Sequence, residues 1–350
     1  MAKILVTGGL GFIGSHTVVE LLTKGHDVII IDNLSNSTVE VKNGIETITG
    51  KSVDLKILDL TDQQKVLQFF SLNKNIDGII HFAAHKAVGE SVKNPLKYYE
   101  NNLYSLINLL KACKSNHLKS NFIFSSSCTV YGNGNTLPIN ETSTIPPAAS
   151  PYGNTKQICE EILKDTSNSE ENIRVISLRY FNPIGAHPSA IIGELPLGKP
   201  QNLVPFITQT AAGRLDQLTV FGDDYRTKDG TCIRDYIDVV DLAKAHVAAL
   251  EFLDKNQSKY EVFNLGTGKG RSVLEIIHTF EEVSGEKLNY RIGDRRSGDV
   301  EAIYADTAKA NILLNWQTET LLSDSINNAW RWEQKIRTKG FLTKVELKQV

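Results

Sequence analysis

Lys3-Ile4-Leu5-Val6-Thr7-Gly8-Gly9-Leu10-Gly11-Phe12-Ile13-Gly14 opens the chain, and its reading decides the fold. The run 3–7 is apolar and long enough for one buried strand. It breaks at Gly8, Gly11 and Gly14, after which Ile13, Val18, Leu21 and Leu22 recur at helical spacing. Gly25 is placed to stop that helix, and Val28-Ile29-Ile30-Ile31 predicts a second buried strand ending in Asp32. A strand–turn–helix–strand unit with glycines in its turn suits a dinucleotide. Pyrophosphate needs bare backbone N–H groups at a helix N-terminus, and a Cβ in the turn would hold it off. An acid closing the second strand accepts from both ribose hydroxyls and repels a 2′-phosphate. Asp32 therefore predicts NAD rather than NADP.

Strand and helix patterns keep alternating after Asp32. Strands are expected over 53–58, 76–83, 121–126 and 173–180, with helices over 62–72 (capped by Thr61), 95–117 and 151–164 between them. Six strands with helical crossovers make an α/β fold, a Rossmann-like doubly wound parallel sheet. The rhythm breaks over 181–235, a stretch rich in Gly, Pro and Asp with a helix at 203–213 and a strand near 218–221. A helix at 239–253 and a strand at 260–265 are expected to return to the nucleotide unit. Beyond lie a helix at 273–283, a strand at 288–292 and C-terminal helices to about 335. The expected organisation is an NAD-binding domain, 1–181 with 236–265 returning to it. A smaller α/β domain for substrate spans 182–235 and 266–335, followed by a tail, 336–350.

Bulk properties narrow the function classes. The 350 residues are 41% hydrophobic and 22% charged, ordinary for a globular chain with a real core. Lys+Arg 38 against Asp+Glu 40 leaves −2, so charge gives no case for nucleic acid or an anionic membrane. The N-terminus enters a strand at once, with no leader pattern, and no run approaches a membrane span. Cys113, Cys128, Cys159 and Cys232 lie far apart without a CxxC pair, which suggests neither zinc nor a disulfide framework. No metal cluster is apparent, and a reducing, cytoplasmic setting fits.

The chemistry concentrates in Tyr152-Gly153-Asn154-Thr155-Lys156. Ser150 can cap the helix and Pro151 can be its first residue, so Tyr152 falls in the first turn. Spacing i, i+4 puts phenol and ammonium on one helix face. A phenolate base near neutrality needs its pKa lowered by about 3 units, or roughly 4 kcal/mol. The Lys156 charge, the helix dipole and an oxidised nicotinamide all push that way. Ser125-Ser126-Ser127 ends the fifth strand, and strand ends in such sheets face the ligand crevice, so a hydroxyl there can meet Tyr152.

Together with GxxGxxG, Asp32-Asn33, His81-Phe82-Ala83-Ala84, Asn101-Asn102 and YxxxK resemble the extended short-chain dehydrogenase/reductase family. Finer motifs are similar to its UDP-galactose 4-epimerase group. They are Lys86-Ala87-Val88-Gly89-Glu90-Ser91, Thr129-Val130-Tyr131-Gly132, the run 179–188, Asp229-Gly230-Thr231 and Arg234-Asp235-Tyr236. The resemblance runs from about residue 2 to about 333. It implies a tightly held NAD, a UDP-hexose substrate, inversion at the sugar C4 and a homodimer through the long helices 95–117 and 151–164. By the same resemblance Tyr152, Lys156 and Ser127 are catalytic. The cofactor contacts it implies are Gly8, Gly11, Phe12, Ile13, Gly14, Asp32, Asn33, Asn36, Asp59, Leu60, Phe82, Ala83, Ala84, Lys86, Asn101, Ser125, Tyr152, Lys156 and Tyr180. The substrate contacts are Lys86, Ser127, Tyr152, Phe181, Asn182, Asn202, Leu203, Thr219, Phe221, Arg234, Tyr236, Arg296, Asp299 and Ile303. A diphosphate suits guanidinium forks, which agrees with Arg234 and Arg296.

Related enzymes that eliminate water or carbon dioxide need a carboxylate beside Ser127. Here Cys128, Thr129 and Val130 follow it, which favours simple epimerisation. A scaffold that kept the fold but lost its chemistry would lack Tyr152, Lys156 or Ser127, and none is lost. Ile303 is where pocket width is expected to be set. It is intermediate in size, so UDP-glucose and UDP-galactose are favoured and N-acetylated UDP-sugars remain the alternative. His85 and Cys128 depart from the family pattern, and packing is the simpler reading of both. His187, followed by Pro188 in a loop, reads as structural rather than as a metal ligand.

Overall fold

The computed structural model describes residues 1–118, 120–296 and 299–338. β1 (Lys3–Thr7) runs into α1 (Phe12–Thr23), and β2 (Asp27–Asp32) returns parallel to it, with Lys3 opposite Asp27 and Thr7 opposite Ile31. Gly8 makes the turn possible. Its φ of +67° is one an L side chain resists, and its N–H donates to the Ile31 carbonyl. α2 (Glu40–Thr49), β3 (Asp54–Ile57), α3 (Gln63–Leu72), β4 (Gly78–His81), α4 (Val88–Lys93) and α5 (Pro95–Ser115) follow. Then come β5 (Ser120–Ser125), α6 (Pro151–Ser169) and β6 (Ile173–Tyr180). The last third holds β7 (Asn182–Ile184), α7 (Leu203–Ala211), β8 (Leu218–Phe221), β9 (Ile233–Asp238), α8 (Val239–Lys255) and β10 (Tyr260–Leu265). It ends with β11 (Gly270–Ser272), α9 (Val273–Ser284), β12 (Tyr290–Gly293), β13 (Ala302–Ile303), α10 (Ala308–Leu313) and α11 (Leu322–Thr338).

Seven strands form one sheet in the order β10-β6-β5-β4-β1-β2-β3, and every pairing in it is parallel. The inner strands β1, β2, β4 and β5 are apolar on both faces because helices cover both, whereas the edge strand β3 is exposed. Ile4, Val6, Ile30 and Ile80 pack with Val18 and Leu21 of α1 and Leu242 and Leu250 of α8. Leu5, Ile29, Ile79 and Phe122 pack on the other face with Phe70, Leu106, Leu109 and Leu163 of α3, α5 and α6. Strand order reverses between β1 and β4, and the crevice at their carboxyl ends is where such sheets take ligands. A four-stranded sheet centred on β9 (with β7, β11 and β13) and a β8–β12 pair stand apart. Ile184, Ile207, Val220, Ile276, Phe280 and Trp330 fill a separate core beside them.

Some boundaries differ from the sequence reading, each for a local reason. α3 is capped by Asp62, whose carboxylate accepts from the Lys65 N–H, while the Thr61 hydroxyl donates to Asp59. α5 ends at Ser115 and α6 runs on to Ser169. The expected strand at 288–292 is β12, Tyr290–Gly293, because its register is set by β8. α2 goes beyond the sequence reading although Val41, Ile45 and Ile48 recur at helical spacing; Asn43 and Gly44, poor helix formers, obscure it. α4, β7, β9, β11 and β13 are short and go beyond it as well. Of the tail, residues 339–350 lie outside the described residues. Among the described residues no helix is long and apolar enough to cross a membrane.

Candidate active site

A cavity of about 260 Å³ runs along the carboxyl ends of β1, β2, β4, β5 and β6. Its nucleotide end is built from backbone. Gly8, Gly11 and Gly14 line it at the N-terminus of α1, where the unpaired N–H groups and the helix dipole favour an anion. A Cβ on Gly8 would lie 2.8 Å from the Ala83 nitrogen, and one on Gly14 would lie 2.9 Å from the Gly9 Cα. Gly11 differs: its φ is −72° and its Cβ would meet only the Gly8 carbonyl oxygen at 3.2 Å, so the missing side chain leaves room in the cavity.

Asp32, 6% exposed, accepts from the Leu10 N–H (3.1 Å), the Leu34 N–H (2.9 Å) and the Ser37 hydroxyl (2.8 Å). A carboxylate has about four lone-pair sites, so about one remains for a ribose hydroxyl. Asn33 and Asn36 line the cavity beside it, and Asn33 donates to Asp59 at 3.2 Å. This glycine cradle, with Asp32 and, among the described residues lining the cavity beside it, Asn33, Ser35 and Asn36 rather than a cation, fits NAD.

At the other end the three reactive side chains meet. Ser150 caps α6 by accepting from the Gly153 N–H at 3.1 Å, and Pro151 is the first helical residue. Tyr152 and Lys156 thus face the sheet, 8% and 3% exposed, opposite Ser127 just beyond β5. Lys156 Nζ donates to the Ser125 carbonyl at 2.6 Å, 4.7 Å from the centroid of the Phe124 ring and 5.9 Å from that of Tyr152. Burial pulls its pKa down to about 8, against the opposing pull of Cys159 and Glu160. Burial pushes the Tyr152 phenol well above its ordinary value, with Tyr180 adding to the rise and the Ser127 hydroxyl opposing it. This differs from the expected lowering. An anion sealed away from water is costly, and the Lys156 ammonium turns to a carbonyl rather than to the phenol. Tyr180 stacks the wall through a 2.5 Å hydrogen bond to Ser125 Oγ. His81, beneath them, is hydrogen bonded to the Thr7 hydroxyl at 2.7 Å, and burial lowers its pKa to about 3, so the ring is neutral.

The NAD dependent epimerase/dehydratase family matches residues 4–266. UDP-glucose 4-epimerase of Bacillus subtilis is 50% identical over 330 residues, 94% of this chain and 96% of that one. The chain belongs to that family. Among solved epimerases, the Bifidobacterium longum UDP-glucose 4-epimerase in complex with NAD+ and UDP aligns with a TM-score of 0.91 at 46% identity. That alignment covers 95% of this chain and 98% of the other. The Stenotrophomonas maltophila UDP-glucose 4-epimerase, with bound NAD and formylated UDP-arabinopyranose, gives 0.93 at 44%, covering 97% and 99%.

Within this epimerase/dehydratase chain, Phe12, Ile13, Leu60, Phe82, Ala83, Ala84, Lys86 and Asn101 also line the cavity, as do Phe181, Asn182 and Asn202. Leu203, Thr219, Phe221, Arg234, Tyr236, Arg296, Asp299 and Ile303 do not. Four of them, Phe221, Arg234, Arg296 and Asp299, form one cluster. Arg296 forks onto Asp299 (2.8 and 3.1 Å) and lies over the Phe221 ring, while Arg234 donates to the Ile233 and Val300 carbonyls and reaches Asp299 at 3.5 Å. Ile303, 8% exposed, is packed with Val130, Tyr131, Ile139, Phe181 and Ala305. Its reach to the cavity therefore goes through Phe181 and Cys128, which belong to or pack on that cluster and line the cavity. Ile31, Ser35, Leu58, Ser105, Thr129 and Pro183 line the cavity without having been expected. Ile31, Ser35, Leu58, Thr129 and Pro183 lie within two residues of expected ones, and Ser105 lies one turn of α5 beyond Asn101. His85 and Cys128 line it as well. The His85 ring lies tilted against that of Tyr98, centroids 5.5 Å apart, and burial raises the Cys128 thiol to about 12, which keeps it protonated. Among the described residues no group of three or more His, Cys, Asp or Glu could hold a metal ion.

Proposed function

We propose that this chain interconverts UDP-galactose and UDP-glucose by inverting the sugar at C4 through a transient 4-keto form. One observation carries the reading: Ser127, Tyr152 and Lys156 converge in a cavity that continues to the glycine turn of α1. NAD, when bound, supplies reversible hydride exchange at C4 and a positive charge beside the phenol. Tyr152 takes the 4-hydroxyl proton and later returns it to the 4-keto oxygen, after the sugar has turned its other face toward the hydride donor. Ser127 shares that proton by hydrogen bonding. Lys156 holds the nicotinamide ribose and lowers the cost of the Tyr152 phenolate, offsetting the burial that raises it. Asp32, Asn33 and Asn36 hold the adenosine end; Arg234, Arg296 and Asp299 bind the UDP diphosphate and uridine. In this reading 1–181 with 236–265 is the NAD-binding unit, and 182–235 with 266–335 closes over the UDP-sugar. Two copies pair through α5, where Leu96 and Tyr104 are exposed, and α6. The enzyme works in the cytoplasm.

Tyr152→Phe keeps the ring and removes the base. Epimerisation, followed as UDP-glucose formed from UDP-galactose, should fall by about 10² to 10⁴. Nucleotide released on denaturation should still be NAD. A variant within threefold of wild type would overturn the assignment of Tyr152, and recovery of NADP would overturn that of Asp32.

A further inference from the structure

Below the reactive groups lies a buried ionic network that the reaction itself does not use. Glu160 and Arg179 are 6% and 4% exposed and are joined through one edge of the guanidinium, Nε at 2.9 Å and Nη2 at 2.5 Å. Ser126 Oγ donates to the same carboxylate at 2.5 Å. Arg179 Nη1 donates to the Tyr131 hydroxyl at 3.0 Å, and that hydroxyl donates to Asn264 at 2.6 Å. A pair sealed like this is rarely retained for stability alone, since apolar residues of equal volume hold a core as well.

The position of Glu160 is what makes it informative. It follows Lys156 by four residues and Tyr152 by eight, so all three share the buried face of α6. Its carboxylate grips Ser126, the residue between Ser125, whose carbonyl accepts from Lys156, and Ser127. We propose that Glu160 is the positioning residue of the Tyr152–Lys156 pair. Its negative charge keeps Lys156 an ammonium, and its bond to Ser126 fixes the strand end that both side chains address.

The surroundings of Lys156 leave Glu160 as the group suited to this. From α6 itself Tyr152, Cys159 and Glu160 face it. β4 presents His81, which burial keeps neutral. β5 presents the Phe124 ring and the Ser125 carbonyl. On β6, Tyr180 is a neutral phenol bonded to Ser125, and Arg179 directs its hydrogen bonds to Glu160 and Tyr131. Burial raises the Cys159 thiol to about 12, so it is uncharged as well.

The inference rests on the proposed roles of Tyr152 and Lys156, and its test reads the lysine directly. In holoenzyme labelled at the lysine ε-carbon, the Lys156 resonance is assigned by its loss in Lys156→Arg and titrated with pH. An opposite charge within about 4–6 Å is worth about 1–3 pH units. Glu160→Gln should therefore lower the Lys156 midpoint by about 1 or more, a tenfold or greater loss of proton affinity. The alkaline limb of kcat should move down with it. Glu160→Asp, which keeps the charge, should restore most of the shift. Should the lone Arg179 prevent Glu160→Gln from folding, Glu160→Gln/Arg179→Gln removes both charges, and because the two oppose each other at Lys156 the midpoint should still fall but by less. An unmoved or raised midpoint in folded Glu160→Gln, or a raised one in the folded double variant, would overturn the role of Glu160. Failure of wild type to epimerise would overturn the proposed reaction instead, and the two results are separable.

Discussion

Two glycines three residues apart should fail in opposite ways when given a methyl group. Gly11 has φ −72° and ψ 174°, values alanine adopts freely, and its added Cβ would meet only the Gly8 carbonyl oxygen at 3.2 Å. A shift of a few tenths of an ångström relieves that contact. The replacement also narrows the unfolded ensemble, worth about 0.4–1 kcal/mol in favour of folding. Gly11→Ala should thus leave nucleotide-free stability within about 1 kcal/mol of wild type. The same methyl group projects where the pyrophosphate must approach the backbone, so NAD affinity should fall at least about tenfold, roughly 1.4 kcal/mol. Gly14 is the reverse case. Its Cβ would sit far inside contact with the Gly8 carbonyl oxygen and 2.9 Å from the Gly9 Cα, both backbone atoms that side-chain motion cannot clear. Forced overpacking of this kind costs about 1–3 kcal/mol, so Gly14→Ala should lower the unfolding midpoint of nucleotide-free protein as well as its NAD content. The assay pairs denaturant unfolding of protein refolded without nucleotide with the moles of NAD bound per chain at saturation and on dilution. Wild-type NAD affinity in Gly11→Ala, or an unchanged unfolding midpoint in Gly14→Ala, would refute the assignment of the turn.

Two further outcomes follow from burial. The pKa of Lys156 is near 8 in the folded chain against an ordinary 10.5, so the unfolded chain holds the extra proton between those values. Stability rises with pH wherever the unfolded state binds more protons. Wild type should therefore gain stability relative to Lys156→Met as pH climbs from about 8 to about 10.5, and a flat difference in urea midpoints over that window would refute it. Ile303→Ala removes three carbons from a packed cluster that includes Phe181 and should cost about 2–5 kcal/mol. If Phe181 relays the space gained, the kcat/KM ratio of UDP-N-acetylglucosamine to UDP-galactose should rise; an unchanged ratio removes residue 303 from substrate choice.

The sequence reading and the structure part company where pairing is non-local. β1, α1 and β2 are legible because a βαβ unit carries its periodicity, its glycines and its closing Asp32 within one short stretch. α6 is equally legible, since Ser150 and Pro151 mark its start and thereby fix which face carries Tyr152 and Lys156. β9 is different. Its residues Ile233–Asp238 look like loop until β7, β11 and β13, drawn from distant stretches of chain, supply their hydrogen bonds. The same holds for Ile303, whose place at the pocket was an expectation of position in the chain, whereas its packing partners outside its own stretch come from three other segments.

By itself, then, the sequence determined what is local: the parallel α/β sheet, the nucleotide turn and the helix that bears the reactive phenol and ammonium. Tertiary structure alone decided what depends on surroundings. It turned Lys156 toward the Ser125 carbonyl and raised the Tyr152 phenol by sealing it from water. It also set Glu160 and Arg179, nineteen positions apart, together beneath them. Periodicity records which face of an element is buried, but the energy of a charge depends on everything packed around it, and that is known only once the chain has closed.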